Sequence, residues 1–214
     1  MRFDIITLFP DMFFSVFAES IGKRAIDEGY IGLNFWNPRE FSEDKHQKVD
    51  DIVYGGGKGM LMKCQPLFDV IKEVKKYNTG PVIYMSAAGK PWTQKEATSM
   101  SKKNTDIVIL CGRYEGVDQR VIDELVDQEI CIGSYILTGG EVPAMLFVDS
   151  IMRLLPGVIQ DDSHQYDSFS AAFDGKKEYP HYTRPEVFRG ISVPPILLSG
   201  NHAKIATWRK EHLR

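Results

Sequence analysis

The chain is short of cysteine. Cys64, Cys111 and Cys131 are the only three in 214 residues, with no C-x-x-C spacing. That excludes a disulfide framework and a thiolate zinc site, and it points to reduced thiols in a cytoplasmic protein. No run approaches the ~18 consecutive apolar residues of a membrane span, so no membrane partner is expected. His46, His164, His181, His202 and His212 are scattered, and no two have metal-ligand spacing. Neither common nucleotide loop, G-x-G-x-x-G or G-x-x-x-x-G-K-[ST], occurs. The N-terminal MRFDIITLFPDMFF carries Asp4 and Asp11 and lacks a small-residue cleavage site, so it reads as a first strand, not a secretory signal. There is no internal repeat and no low-complexity tract.

What is present is ordinary in bulk and uneven in detail. Hydrophobic residues make up 43% and charged residues 26%, which suits one folded domain with a small appendage. The formal net charge is −3, yet residues 181–214 hold Arg184, Arg189, Lys204, Arg209, Lys210 and Arg214 against only Glu186 and Glu211. A basic tail on an acidic body is the composition of a polyanion-gripping appendage. A solvated helix end accounts for the same charges.

Strand and helix patterns alternate. Strands are expected at Phe3–Leu8, 31–36, 82–86, 107–110 and 129–132. Helices are expected from Asp11 to about Asp27, with Phe13, Phe17, Ile21 and Ala25 on one face, and from Pro66 to about Tyr77. Thr93 and Glu96 have capping-box spacing for a helix to about Lys103. Further helices follow near 117–125, 141–154 and 204–213. This order predicts an α/β fold, a mostly parallel sheet with helices on both faces. Residues 39–63 read as a long polar loop of functional length. Residues 156–180 read as a mobile linker.

The most informative stretches are two glycine turns, each after a short apolar strand: IVILCGRYEGVD at 107–118 and EICIGSYILTGGE at 129–141. The run 107–110 suits a strand buried on both faces. Its end at Cys111-Gly112, like Gly140 in the second turn, offers backbone that can approach a ligand closely. Crevices at the carboxyl ends of parallel strands are where such folds bind small molecules.

Eight segments together resemble one family: ITLFPDMF (6–13), VDDIVYGGGKGMLM (49–62), CGRYEGVDQRV (111–121), IGSYILTGGEVPAM (132–145), RLLPGV (153–158), DSF (167–169), PHYTRPEVFRG (180–190) and PPILLSGNHAKIATWR (194–209). In this order over nearly the whole chain, they resemble the bacterial tRNA (guanine-N1-)-methyltransferases of the SPOUT class. The resemblance implies a trefoil-knotted domain over 1–158, a flexible linker over 159–180 carrying Asp167, and a tRNA-binding region over 181–214. It also implies an obligate homodimer in the cytoplasm. Its reaction moves a methyl group from S-adenosyl-L-methionine to N1 of the guanosine 3′ of the anticodon. Family members generally continue past the position of Arg214 into further arginine-rich helices, and here the stretch from Asp167 to His181 is a few residues longer than usual.

The resemblance also assigns residues. Donor binding falls to Tyr84, Met85, Ser86 and Ala87, to Gly112 and Glu115, to Ile132, Gly133, Ser134, Tyr135, Ile136 and Leu137, and to Gly139 and Gly140. Asp167 corresponds to the general base that removes the N1 proton. Arg153 corresponds to the residue that stabilises charge on guanine O6. Asp50 and Gly59 fall in a guanine-contacting loop, with Tyr54 and Lys58 as weaker candidates, and Arg184, Arg189, Lys204 and Arg209 face RNA. The family benefits from Mg2+, for which this sequence offers no ligand set. From the residues alone, Asp167 is a solvated acid beside Asp161 and Asp162, Arg153 a helix-dipole partner, and the glycines tight turns. Two other functions compete: a non-catalytic RNA-binding module, and a ribose 2′-hydroxyl methyltransferase of the same class.

Overall fold

Strands rich in Ile, Val and Phe set the frame. A computed structural model describes residues 1–160 and 163–214, in two compact units, Met1–Ile159 and Gln160–Arg214. In the first unit β1 (Arg2–Ile6) leads through a 3-10 turn (Pro10–Phe13) into α1 (Phe14–Phe17) and α2 (Ser20–Asp27), then β2 (Gly32–Trp36). A second 3-10 turn (Pro38–Phe41) precedes a hairpin of β3 (Asp50–Ile52) and β4 (Met60–Met62). There follow α3 (Cys64–Val74), β5 (Val82–Pro91), α4 (Gln94–Lys103), β6 (Ile107–Cys111), α5 (Gln119–Leu125), β7 (Gln128–Cys131) and α6 (Glu141–Met152). The central sheet has the order β2-β1-β6-β5-β7, and every pairing in it is parallel.

Helices cover both faces of this sheet, as the alternating pattern predicts. Successive residues of β6 enter opposite cores. Ile107, Ile109 and Cys111 pack with Phe147, Val148 and Ile151 of α6, while Val108 and Leu110 pack with Leu67, Val70 and Ile71 of α3. The capping box of α4 is complete: Thr93 accepts from the Glu96 amide, and Glu96 accepts from the Thr93 amide. At the amino-terminal side of the sheet, fully buried Asp4 accepts from Trp36 Nε1 and Asn78 Nδ2, each at 2.8 Å, and from both arms of Arg2 at 2.7 Å. A buried carboxylate needs such company.

Two expectations are corrected. The single helix from Asp11 to Asp27 is three pieces, broken at Ala18 and Glu19, after which Ser20 opens α2 with a positive φ of 54°. The break turns Gly22 inward in place of Ile21. A β-carbon on Gly22 would lie 3.1 Å from Phe17 Cδ1, and Ile21 is exposed. The long loop 39–63 holds the β3–β4 hairpin, which no local periodicity announced.

The second unit carries short 3-10 turns at Ser163–Tyr166 and Ala171–Phe173, then β8 (Val187–Phe188), β9 (Ile191–Ser192), α7 (Pro195–Leu198) and α8 (His202–Glu211). The structure groups 160–180 with the tail: the Lys177 amide donates to the Arg214 carbonyl at 2.7 Å, and the reverse bond is 3.0 Å. Among the described residues, no helix is long and apolar enough to cross a membrane.

Candidate active site

The carboxyl ends of β5, β6 and β7 open into a cavity of about 310 Å3. Its shape begins with a fault in the ladder. Met85 and Lys90 of β5 both stand opposite Ile130, so Ser86–Gly89 bulge away from β7. Bulges of this kind re-aim the chain beside active sites. Ser86 and Ala87 line the cavity from the bulge, after Tyr84 and Met85. Gly112 and Glu115 line it from the loop after β6, and Ile132, Gly133, Tyr135, Ile136, Leu137, Gly139 and Gly140 line it from the loop after β7. Of the donor residues assigned from sequence, only Ser134 is not in the lining. Arg113 and Tyr114, which the sequence reading passed over, are also walls.

Glycine at 112 follows from what lies beneath it. A β-carbon there would come within 2.8 Å of the Tyr84 hydroxyl. Tyr84 is buried, and burial, with the Glu129 charge adding to it, pushes its phenol up. Gly140, besides lining the cavity, packs on the other glycine turn: an added β-carbon would sit 2.7 Å from Cys111 Cα, and the Gly140 amide donates to the Gly112 carbonyl at 2.9 Å. The two turns are therefore packed on one another.

The β3–β4 hairpin packs on the loop after β6, which forms one wall of this cavity. Gly55, Gly56, Gly57 and Gly59 all have positive φ, which gives the glycine run a conformational use. The base of the hairpin is sewn to the loop after β6. Glu115 N donates to Met60 O at 2.9 Å, Met62 N to Gly116 O at 3.0 Å, and Asp118 N to Met62 O at 3.1 Å. Gly59 lies so close to Glu115 that a β-carbon would stand 2.3 Å from Glu115 Oε1. Asp50 pairs with Met62 at the hairpin's base, while Tyr54 and Lys58 are exposed. Asp118, which caps α5, is held far below the usual carboxylate range by hydrogen bonds from the Arg120 side chain at 2.8 and 2.9 Å. Burial, and then Asp118, pushes the neighbouring Cys64 thiol up, so it is a poor nucleophile.

Arg153 is the C-cap of α6, one turn after Asp149, whose carboxyl is raised by burial while the Arg153 charge opposes the rise. In the second unit, Asp167 is half-buried and its carbonyl accepts from Ser170 N at 3.1 Å. The next residue is fixed too: the Ser168 amide donates to Glu178 Oε1 at 2.8 Å, and Glu178 Oε2 lies 2.8 Å from His181 Nε2.

The sequence profile described as tRNA (Guanine-1)-methyltransferase TrmD matches residues 1–214. The chain belongs to this family of tRNA (guanine-N1-)-methyltransferases. It is 51% identical over 215 residues to the enzyme of that name from Clostridioides difficile, covering 99% of this chain and 91% of the relative. The enzyme from Citrifermentans bemidjiense is 52% identical over 217 residues, covering 100% and 86%. The enzyme from Thermosynechococcus vestitus is 49% identical over 211 residues, covering 98% and 88%.

The methyltransferase's basic residues divide into two sets. Arg184 and Arg209 line one cleft of about 390 Å3 in the second unit, and Arg209 stacks 5.1 Å over the Tyr179 ring. Arg189 stands at the tip of the β8–β9 hairpin, where it and Gly190 both have positive φ, with its guanidinium 5.2 Å from the Phe188 ring. Lys204 is exposed in the first turn of α8. Neither Arg189 nor Lys204 is in the lining of that cleft. No group of three or more His, Cys, Asp or Glu gathers to hold a metal ion among the described residues.

Proposed function

We propose that this tRNA (guanine-N1-)-methyltransferase uses S-adenosylmethionine, bound in the cavity at the ends of β5, β6 and β7, and modifies the guanosine immediately 3′ of the anticodon. The observation that carries the proposal is the contact between Gly59 and Glu115. It sets the hairpin expected to meet guanine against the wall of the cavity expected to hold the donor. The cavity suits the donor chemically. Met85, Ile132, Ile136 and Leu137 offer apolar wall, and the Glu115 carboxylate offers an anion to a cationic molecule. When bound, the donor supplies an electrophilic methyl group. In this proposal Asp167 accepts the N1 proton, and the Arg153 charge stabilises the negative charge that moves onto O6. The trefoil knot and the cytoplasmic setting of the family belong to the same proposal.

The deciding experiment is methyl transfer from labelled donor to tRNA with guanosine or adenosine 3′ of the anticodon, followed by mass spectrometry of the nucleosides. 1-Methylguanosine from the first tRNA alone supports the proposal. A 2′-O-methyl nucleoside would make the enzyme a ribose methyltransferase, and no product at all would leave an RNA-binding module.

The proposal includes a homodimer. Val142 and Leu146 are exposed one turn apart on α6, which packs against the 3-10 turn Pro10–Phe13, and Phe9 and Phe14 flanking that turn are exposed as well. Contiguous exposed apolar surface marks an interface. Light scattering at micromolar concentration is expected to give twice the chain mass, and a monomer mass would remove the dimer.

Affinity for tRNA is expected to fall steeply with salt. Each phosphate contact contributes about −0.9 on duplex or −0.7 on single strand to the log–log slope. Neutral substitutions at Arg184, Arg189, Lys204 and Arg209 together should flatten that slope. A slope that stays unchanged would make the basic tail a solvated surface only.

A further inference from the structure

Arg113 reaches three separate parts of the first unit. Its side chain is largely buried, and Nε lies 2.9 Å from Glu141 Oε2. Nη1 donates to the Thr138 carbonyl at 3.2 Å, Nη2 meets Met12 Sδ at 3.2 Å, and Cζ stands 4.5 Å over the Phe9 ring. Glu141 opens α6 and is 1% exposed, and its other oxygen accepts from Thr7 Oγ1 at 2.8 Å. Thr7 Oγ1 in turn accepts from Phe9 N at 3.0 Å. The segment after β1, the turn after β6 and the end of the loop after β7 are thus tied together through one guanidinium. The chain also makes room for it: a β-carbon on Gly139 would lie 2.4 Å from Arg113 Nε.

We propose that Arg113 is a positioning residue for the methyl donor, holding the loop after β7 in its donor-binding shape through Glu141 and Thr138. The inference rests on the reading of the cavity as the donor site. A planar fork is needed, because one ammonium cannot meet Glu141, the Thr138 carbonyl and the Phe9 face at once. The buried Glu141 charge also requires its cationic partner, so removing Arg113 alone endangers the fold.

The test uses Arg113→Lys and the double variant Arg113→Met with Glu141→Gln, which removes both charges together. Titration with S-adenosylhomocysteine, both KM values, kcat and the melting temperature are measured. Arg113→Lys is expected to raise the Kd for S-adenosylhomocysteine and the KM for the donor by about tenfold. The KM for tRNA, and kcat at saturating donor, should stay within about twofold. The double variant should lose donor affinity at least as far while remaining folded. Wild-type donor affinity in both folded variants, with only the melting temperature moved, would make Arg113 merely structural and overturn the inference. Wild-type protein that fails to bind S-adenosylhomocysteine would overturn the donor-site reading, and this inference with it.

Discussion

Asp167→Asn is expected to lower turnover by about two orders of magnitude or more, with the affinity for S-adenosylhomocysteine unchanged. The substitution keeps size and polarity and removes the negative charge together with the proton acceptor. Its backbone is held by bonds that do not involve the carboxylate: the Ser170 amide on the Asp167 carbonyl, and the Ser168 amide on Glu178. That brace remains charged under assay conditions. Burial pushes Glu178 up, but hydrogen bonds from His181 and Ser168 outweigh it and hold the carboxyl below its usual value. A carboxyl depressed in the folded state contributes stability above its unfolded pKa of about 4.3 and loses it only as pH falls through the lower folded value. A loss of rate near neutral pH therefore reports Asp167 itself.

Arg153→Ala should also slow the reaction, and the double variant should fall short of the product of the two single effects, because both residues act on one transition state. The acidic limb that protonation of the base imposes on wild-type turnover should vanish in the Asn variant. A near-normal single-turnover rate in Asp167→Asn would send the proton elsewhere. Asp161, Asp162 or Glu115 would then be next in line, the first two lying outside the described residues.

Local signals in the chain were legible where local physics decides. The β-branched run ending at Cys111 is a strand buried on both faces because each of its residues, taken in turn, meets a different helix layer. The Thr93–Glu96 spacing gives a helix start because both bonds of a capping box lie within one turn. What stayed hidden depends on distant partners. The helix after Asp11 breaks before Ser20, and the break sets Gly22 rather than Ile21 against Phe17, an arrangement that the 3.6-residue period does not encode. The β3–β4 hairpin owes its position to bonds with residues 115–118. Arg113 drew no notice in the sequence because Glu141 gains its meaning from Thr7, 134 residues away. The residues proposed to bind the donor, which line one cavity, were singled out through resemblance to a family. Their composition alone described only turns.

Gly140→Ala is expected to weaken the binding of S-adenosylhomocysteine by about tenfold to a hundredfold and to lower the melting temperature by about 2–10 °C. The cause is contact, not conformation. Gly140 has φ of −81°, which alanine adopts freely, but its β-carbon would stand 2.7 Å from Cys111 Cα and 2.9 Å from Gly112 N. Both are backbone atoms at the end of a fully buried strand, so neither can swing aside as an exposed side chain would. Overpacking of this kind costs about 1–3 kcal/mol, and the way to relieve it is to part the two turns and break the bond from Gly140 N to Gly112 O. Parting them widens the cavity that the donor is proposed to fill. Gly32→Ala is the control: nothing lies within 4 Å of its added carbon, so melting and binding should match the wild type. Gly140→Ala protein that melts and binds like the wild type would show that the two glycine turns do not support one another, and the packed arrangement of the cavity wall would have to be abandoned.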